Sequence, residues 1–175
     1  MKRTLKFRGK RADQGGWITG GLCQYLFDAA KETRLCIHVG KKGYIRNGFY
    51  EVDPDTVGQF TGLKDENGVE IYEGDIISGC YKYDTCDANG GVIPDQDCLC
   101  KGVVRFSEAR LQWVLDIFRT EYPISRWIDE GGDSEIPLVH FEYESPEFNM
   151  DLLEVIGNIY DNPELLKNNE QPTIL

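Results

Sequence analysis

Histidine is scarce in this chain. His38 and His140 are the only two among 175 residues, and both lie in apolar, strand-like runs. A histidine-centred relay therefore has little to draw on, and each is expected to be a satisfied strand residue. Several signatures of chemistry are also missing. There is no G-x-S-x-G elbow, no Walker loop and no glycine-rich dinucleotide fingerprint; "GKKG" at 40–43 lacks the upstream glycine spacing. No apolar run is long enough to span a membrane. The basic start "MKRTLKFRGKR" is not followed by the apolar stretch of a signal peptide, and no N-x-S/T sequon occurs. The expectation is a protein with no membrane partner, located in the cytoplasm. Calcium loops fail on spacing: counted from Asp65, Gly68 falls at position 4, where an EF-hand needs glycine at position 6.

Six cysteines are present. Without a secretory signal they are expected to stay reduced. Cys23 and Cys36 lie in apolar runs and read as small buried hydrophobes. Cys80, Cys86, Cys98 and Cys100 are spaced C-x5-C-x11-C-x-C, whereas zinc knuckles favour two to four residues between paired cysteines. These four are weak metal candidates, and no metal or cofactor is expected. The Cys36/His38 pair lies two residues apart on one strand, so the side chains point the same way without meeting.

Charge is abundant but uneven. The net charge is −11, yet residues 1–48 carry 11 Lys/Arg against 3 Asp/Glu, and residues 49–175 carry 8 against 27. The simplest account is that the basic start lies against acidic parts of its own fold or of a neighbouring subunit. The alternative is a nucleic-acid face. Its candidates are Lys6, Arg8, Lys10, Arg11, Lys41 and Lys42. Lys6, Arg8 and Lys10 share one strand face opposite Leu5 and Phe7, and Tyr44, Phe49 and Tyr50 are nearby for stacking. Paired carboxylates (Glu70, Glu73 and Asp75; Asp95 and Asp97; Glu142 and Glu144) could serve hydrolysis, but 30 acidic residues produce such pairs by chance.

Along the chain, short strand signals dominate. "TLKFRGKRADQGGWITGGL" alternates as two strands about a turn. "LFDAAKET" at 26–33 reads as one or two helical turns, and "RLCIHVG" as a strand. Asn47-Gly48 and Asn67-Gly68 are hairpin signals. In "QFTGLKDENGVEIYEGDII" (59–77) the acidic residues are expected in turns and on one solvated strand face. Residues 78–100, rich in Gly, Asp, Asn and Cys, read as a long loop and so as a place to look for a site. A hairpin follows at 103–118, with Trp113, Leu115 and Ile117 on one face; a second irregular insertion spans 119–136. "EVIGNIY" reads as a strand, and Pro163 opens a short helix over 163–168.

The fold class implied is β-rich α+β: a bent antiparallel sheet or a small SH3-like barrel, with loop insertions and a short C-terminal helix. With 41% hydrophobic residues the chain can bury a core without disulfides. Residues 1–168 are expected to form one domain and 169–175 a flexible tail. Within 1–168, an N-terminal β subdomain (1–58) and a barrel-like one (59–168) form the alternative partition.

Three segments, "LKFRGKRADQGGWITG" (5–20), "QFTGLKDENGVEIYEGDII" (59–77) and "EVIGNIYDNPELL" (154–166), together resemble the YopX-like family of bacteriophage and prophage proteins. The resemblance implies a small, β-rich cytoplasmic protein of a bacterial host, and it carries over no catalytic residue. The shared positions Gly62, Gly68, Tyr72, Gly74, Asp75, Gly157, Asn158 and Pro163 read as fold specification. The functional expectation is a non-enzymatic accessory protein acting through a protein partner or self-association, a homo-oligomer included. A nucleic-acid-binding module is the second reading, and a carboxylate or metal-dependent enzyme the third.

Overall fold

The computed structural model describes residues 5–13, 15–27, 32–40, 48–86, 89–120, 135–138 and 152–167. The chain divides into two compact units, Met1–Leu63 and Lys64–Leu175.

The N-terminal unit holds β1 (Phe7–Lys10), β2 (Trp17–Phe27), β3 (Glu32–His38) and β4 (Phe49–Glu51), then a 3-10 turn (Pro54–Thr56) and β5 (Gly58–Lys64) at the boundary. The strand order is β4-β3-β2-β1-β5, with antiparallel neighbours. Val52, just past β4, bridges back to Arg11, just past β1, and the Asp53 amide donates to the Lys10 carbonyl at 2.9 Å. Ile37 and Val52 are buried beside Gly9, which leaves room for them: a Cβ there would sit 3.2 Å from Val52. The 3-10 turn is capped by Asp53, whose carboxylate accepts from the Asp55 amide. Its buried Thr56 accepts from the Lys10 amide at 2.9 Å and donates to the Asp53 carbonyl.

The helical turns expected over 26–33 are not formed at either end of that stretch. Leu26 and Phe27 pair with Thr33 and Glu32, extending the β2–β3 hairpin. At those ends, cross-strand pairing that continues from Gly21↔His38 holds the backbone extended, and residues 28–31 lie outside the described residues. Of the Asn47-Gly48 turn, only Gly48 is among the described residues.

The second unit holds β6 (Glu70–Tyr72), β7 (Asp75–Cys86), β8 (Val92–Ser107), β9 (Gln112–Thr120), β10 (Glu135–Pro137), β11 (Glu154–Asn158) and a 3-10 turn (Pro163–Leu166). Its sheet runs β10-β9-β8-β7-β11, all antiparallel. Adjacent residues are buried together at its centre: Ile76 with Ile77, Val103 with Val104, Val114 with Leu115. Successive strand residues face opposite sides, so the sheet centre is covered on both. That explains why Val114 is as buried as Leu115, although the alternation pattern marks only Trp113, Leu115 and Ile117.

Three expectations are corrected here. Neither sheet closes into an SH3-like barrel among the described residues; the single Arg11–Val52 bridge does not complete a ladder. The C-terminal helix is a 3-10 turn, Pro163–Leu166, because Lys167 is already extended at φ −73° and ψ 120°. Finally, most of 78–100 is not a loop. β7 continues to Cys86 and β8 begins at Val92, paired from Ser78↔Lys101 out to Cys86↔Val92. The reversal lies beside Asn89-Gly90, with Gly90 at φ 82°.

Candidate functional site

The basic strand comes first. In β1, Arg8 pairs with Thr19 and Lys10 with Trp17. Directly opposed residues share a face, so Arg8, Lys10 and Trp17 lie together on one side. The Arg8 guanidinium carbon is 4.8 Å and the Lys10 ammonium 5.6 Å from the Trp17 ring centroid. Arg11 sits 4.6 Å over the Tyr50 ring and donates two bonds to Asp13, 2.9 Å from Nε and 2.6 Å from Nη2. The Asp13 carboxylate holds the Arg11 pKa above its ordinary value. Lys6 is half-buried at the start of the same segment, and its carbonyl accepts from the Phe60 amide. Lys41, Lys42 and Tyr44 lie outside the described residues. Thus Arg8, Lys10 and Arg11 are brought near aromatic rings, but those rings belong to the protein itself. Phe49 is also engaged, packed 5.1 Å from Tyr25 and 4.5 Å from His38.

His38 differs from the satisfied strand histidine expected. Its ring lies against Phe49, and its Nε2 is buried with no hydrogen-bond partner among the described residues. On the same sheet face, Cys23 stands directly opposite Cys36, and Cys36 opposite Glu51. Glu51 accepts from Arg34 at 2.7 Å. Burial raises the pKa of both thiols; for Cys36 the nearby Cys23 and Glu51 add to the rise and Arg34 opposes it. His140 lies outside the described residues.

In the second unit, the segments that carry the family resemblance are locked by backbone contacts. Asp65 is 7% exposed, and its carboxylate gathers three amides: Asn67 at 2.9 Å, Val69 at 2.8 Å and, from β11, Val155 at 3.1 Å. The Glu66 amide donates to the Leu153 carbonyl. Asp75, 1% exposed, accepts from the Tyr72 amide at 2.7 Å and pairs with Asn158 across β7–β11. Of the acidic residues expected in solvated turns and on a solvated strand face, Asp65 and Asp75 are therefore buried acceptors of amide hydrogen bonds, while Glu66 is exposed and Glu70 and Glu73 are half-buried. The Tyr72 hydroxyl donates to Glu70 at 2.7 Å. Gly74, at φ 82°, donates to the Val104 carbonyl and accepts from the Ile159 amide. Asn158 accepts from the Tyr160 and Asp161 amides at 3.0 and 2.9 Å, and Pro163 starts the 3-10 turn. Gly157 faces that turn so closely that a Cβ would lie 2.6 Å from the Asn162 side chain. Gly62 and Gly68 have positive φ with open space beside them. Asp65 was not among the candidates. Its only sequence signal is the Asp-x-x-Gly turn pattern, which says nothing about Val155.

In the cysteine-rich ribbon, Cys100 pairs with Gly79, whereas Cys80 pairs with Leu99. That register puts Cys80 and Cys100 on opposite faces. No cluster of three or more metal-ligating side chains occurs among the described residues. The ribbon does expose apolar surface: Val92 is 66%, Leu99 56% and Ile93 40% exposed. No helix among the described residues is long and apolar enough to cross a membrane.

No curated protein matches the chain. Among solved structures, it is similar to the crystal structure of protein EF1440 from Enterococcus faecalis, with 23% identity over 95% of this chain and 100% of that one, at a TM-score of 0.42. The family model described as YopX protein matches residues 6–167, across both units, and the chain belongs to the YopX family.

Proposed function

We propose that this protein is a non-enzymatic, phage- or prophage-derived accessory protein of the bacterial cytoplasm that works by protein contact, with a second copy of itself as the first partner. The observation that carries this reading is the outer part of the β7–β8 ribbon. Beyond Ser78 on β7 and Cys100 on β8, the ribbon presents Val92, Ile93 and Leu99 to solvent. Exposed apolar side chains grouped on one part of the surface mark a place for a partner to cover. A second copy supplies the same ribbon in antiparallel orientation, so one two-fold contact serves both. The basic 1–48 and acidic 49–175 segments also give two copies complementary charge. Light scattering on the eluting full-length protein tests this. The expected outcome is a dimer or larger species that dissociates on dilution and is lost in a Val92→Glu, Ile93→Lys variant. A monomer at every concentration rejects it.

The second reading, nucleic-acid binding through Lys6, Arg8 and Lys10, is favoured by the shared face of Arg8, Lys10 and Trp17. It ranks lower because Trp17, Tyr50 and Asp13 already occupy Arg8, Lys10 and Arg11. It requires affinity that falls steeply with salt and disappears when Lys6, Arg8 and Lys10 are made neutral.

A further inference from the structure

The β2–β3 hairpin sets two thiols directly opposite each other, and neither the family segments nor the proposed interaction uses them. Cys23 and Cys36 are register partners, and the Cys23 thiol donates to the Cys36 carbonyl at 3.5 Å. Both are free thiols in the structure. Opposed residues of an antiparallel pair have Cα atoms about 4.5–5.5 Å apart, inside the roughly 4.4–6.8 Å range that a disulfide spans. Their Cβ atoms, about 4.5–5.5 Å apart, stand at or just beyond the disulfide range of roughly 3.5–4.5 Å. Cys23 is half-buried, so a small thiol can still reach such a bond and reduce it again.

We propose that Cys23 and Cys36 form a reversible dithiol–disulfide site that takes a low-molecular-weight disulfide as its oxidant. The two thiols have different roles because they differ in access: Cys23 is half-buried and Cys36 is 0% exposed. The Cys23 thiolate attacks one sulfur of the small disulfide, forming a mixed disulfide and expelling one small thiolate, which takes up a proton. Cys36 then loses its proton and attacks the Cys23 sulfur. The Cys23–Cys36 bond forms, and the second small thiol leaves. In sum, one small disulfide becomes two thiols and the protein dithiol becomes a disulfide. Burial keeps both protein thiols protonated at neutral pH, which makes the exchange slow without changing where it starts. The product ties β2 to β3 at the row that also carries Glu51 and, through it, Arg34.

The test uses full-length, folded, reduced protein. It is incubated with oxidised glutathione, its remaining thiols are blocked by alkylation at low pH, and it is digested with trypsin. Cleavage after Arg11, Lys31, Arg34 and Lys41 puts Cys23 in the peptide 12–31 and Cys36 in the peptide 35–41. The expected product is these two peptides joined, two hydrogen atoms lighter than their sum, and separated again by dithiothreitol. In Cys36→Ser the chain should stop at glutathione on Cys23, while in Cys23→Ser residue Cys36 should remain a thiol. Three results overturn the proposal: both peptides recovered as alkylated thiols, the joined species appearing only after unfolding in urea, or Cys23 joined mainly to a cysteine of the 80–100 segment.

Discussion

The β7–β8 ladder is one continuous hairpin whose two ends are built on different principles. At the inner end, Asp75–Ser78 pairs with β11, while Asp65, Gly74 and Asn158 fix the flanking turns with side-chain and backbone bonds. At the outer end the same strands carry exposed Val92, Ile93 and Leu99. Register is strongly specified where both faces are covered and weakly where they are not. The inner end therefore needs particular residues at particular places, and the family segments lie there. The outer end needs only alternation and a turn.

Breaking the inner end should have the largest effect. Asp65→Ala leaves three amides without their acceptor, two in the turn and one on β11. At roughly 1.5 kcal/mol for each bond to a charged group, the loss is about 4.5 kcal/mol. Urea denaturation should show it as a large fall in midpoint, and Asp65→Asn should recover only part, since its amide nitrogen cannot accept. A midpoint unchanged in Asp65→Ala would mean that the turn holds without its clamp. Next is Gly157→Ala. Its Cβ would press on the Asn162 side chain at 2.6 Å and on Leu165 at 3.0 Å, costing roughly 1–3 kcal/mol as overpacking does. Asn162→Ala in the same chain should relieve part of that loss, which would locate the strain between these two residues.

How much of this was legible in the sequence also divides along the ladder. Asn67-Gly68 is a clear hairpin signal and the turn is there, with Gly68 at φ 79°. Asn89-Gly90 is the same signal, and the surrounding Cys, Asp and Gly obscure it, yet "YKYDT" and "VI" beside it are ordinary strand residues. Composition is a poor guide where a short periodic stretch is enough. Asp65 illustrates the opposite limit. Its turn is local, but its bond to Val155 spans 90 residues, and no window of sequence contains both. The candidate basic face falls between these. Lys6, Arg8 and Lys10 on one strand face could be read from alternation; that Trp17 shares it depends on the β1–β2 register. The Cys23–Cys36 pairing likewise depends on the β2–β3 register, which Leu26↔Thr33 and Phe27↔Glu32 continue and no local window of sequence shows.

The outer end sharpens the contrast through two smaller effects. Gly90→Ala forces a side chain into φ 82°, where open space removes any steric clash and leaves only the backbone term, about 1 kcal/mol. Val92→Thr should cost less still, within about 0.5 kcal/mol, because the side chain is already mostly in water. Yet if the ribbon is where two copies meet, Val92→Thr should weaken association measurably while leaving the urea midpoint of a dilute sample in place. That dissociation of the two readouts is the sharpest form of the comparison: an inner residue changes folding, whereas an outer residue changes only what the folded protein holds. A Val92→Thr variant that loses stability and keeps its association would place Val92 in the fold's own packing and move the interface elsewhere.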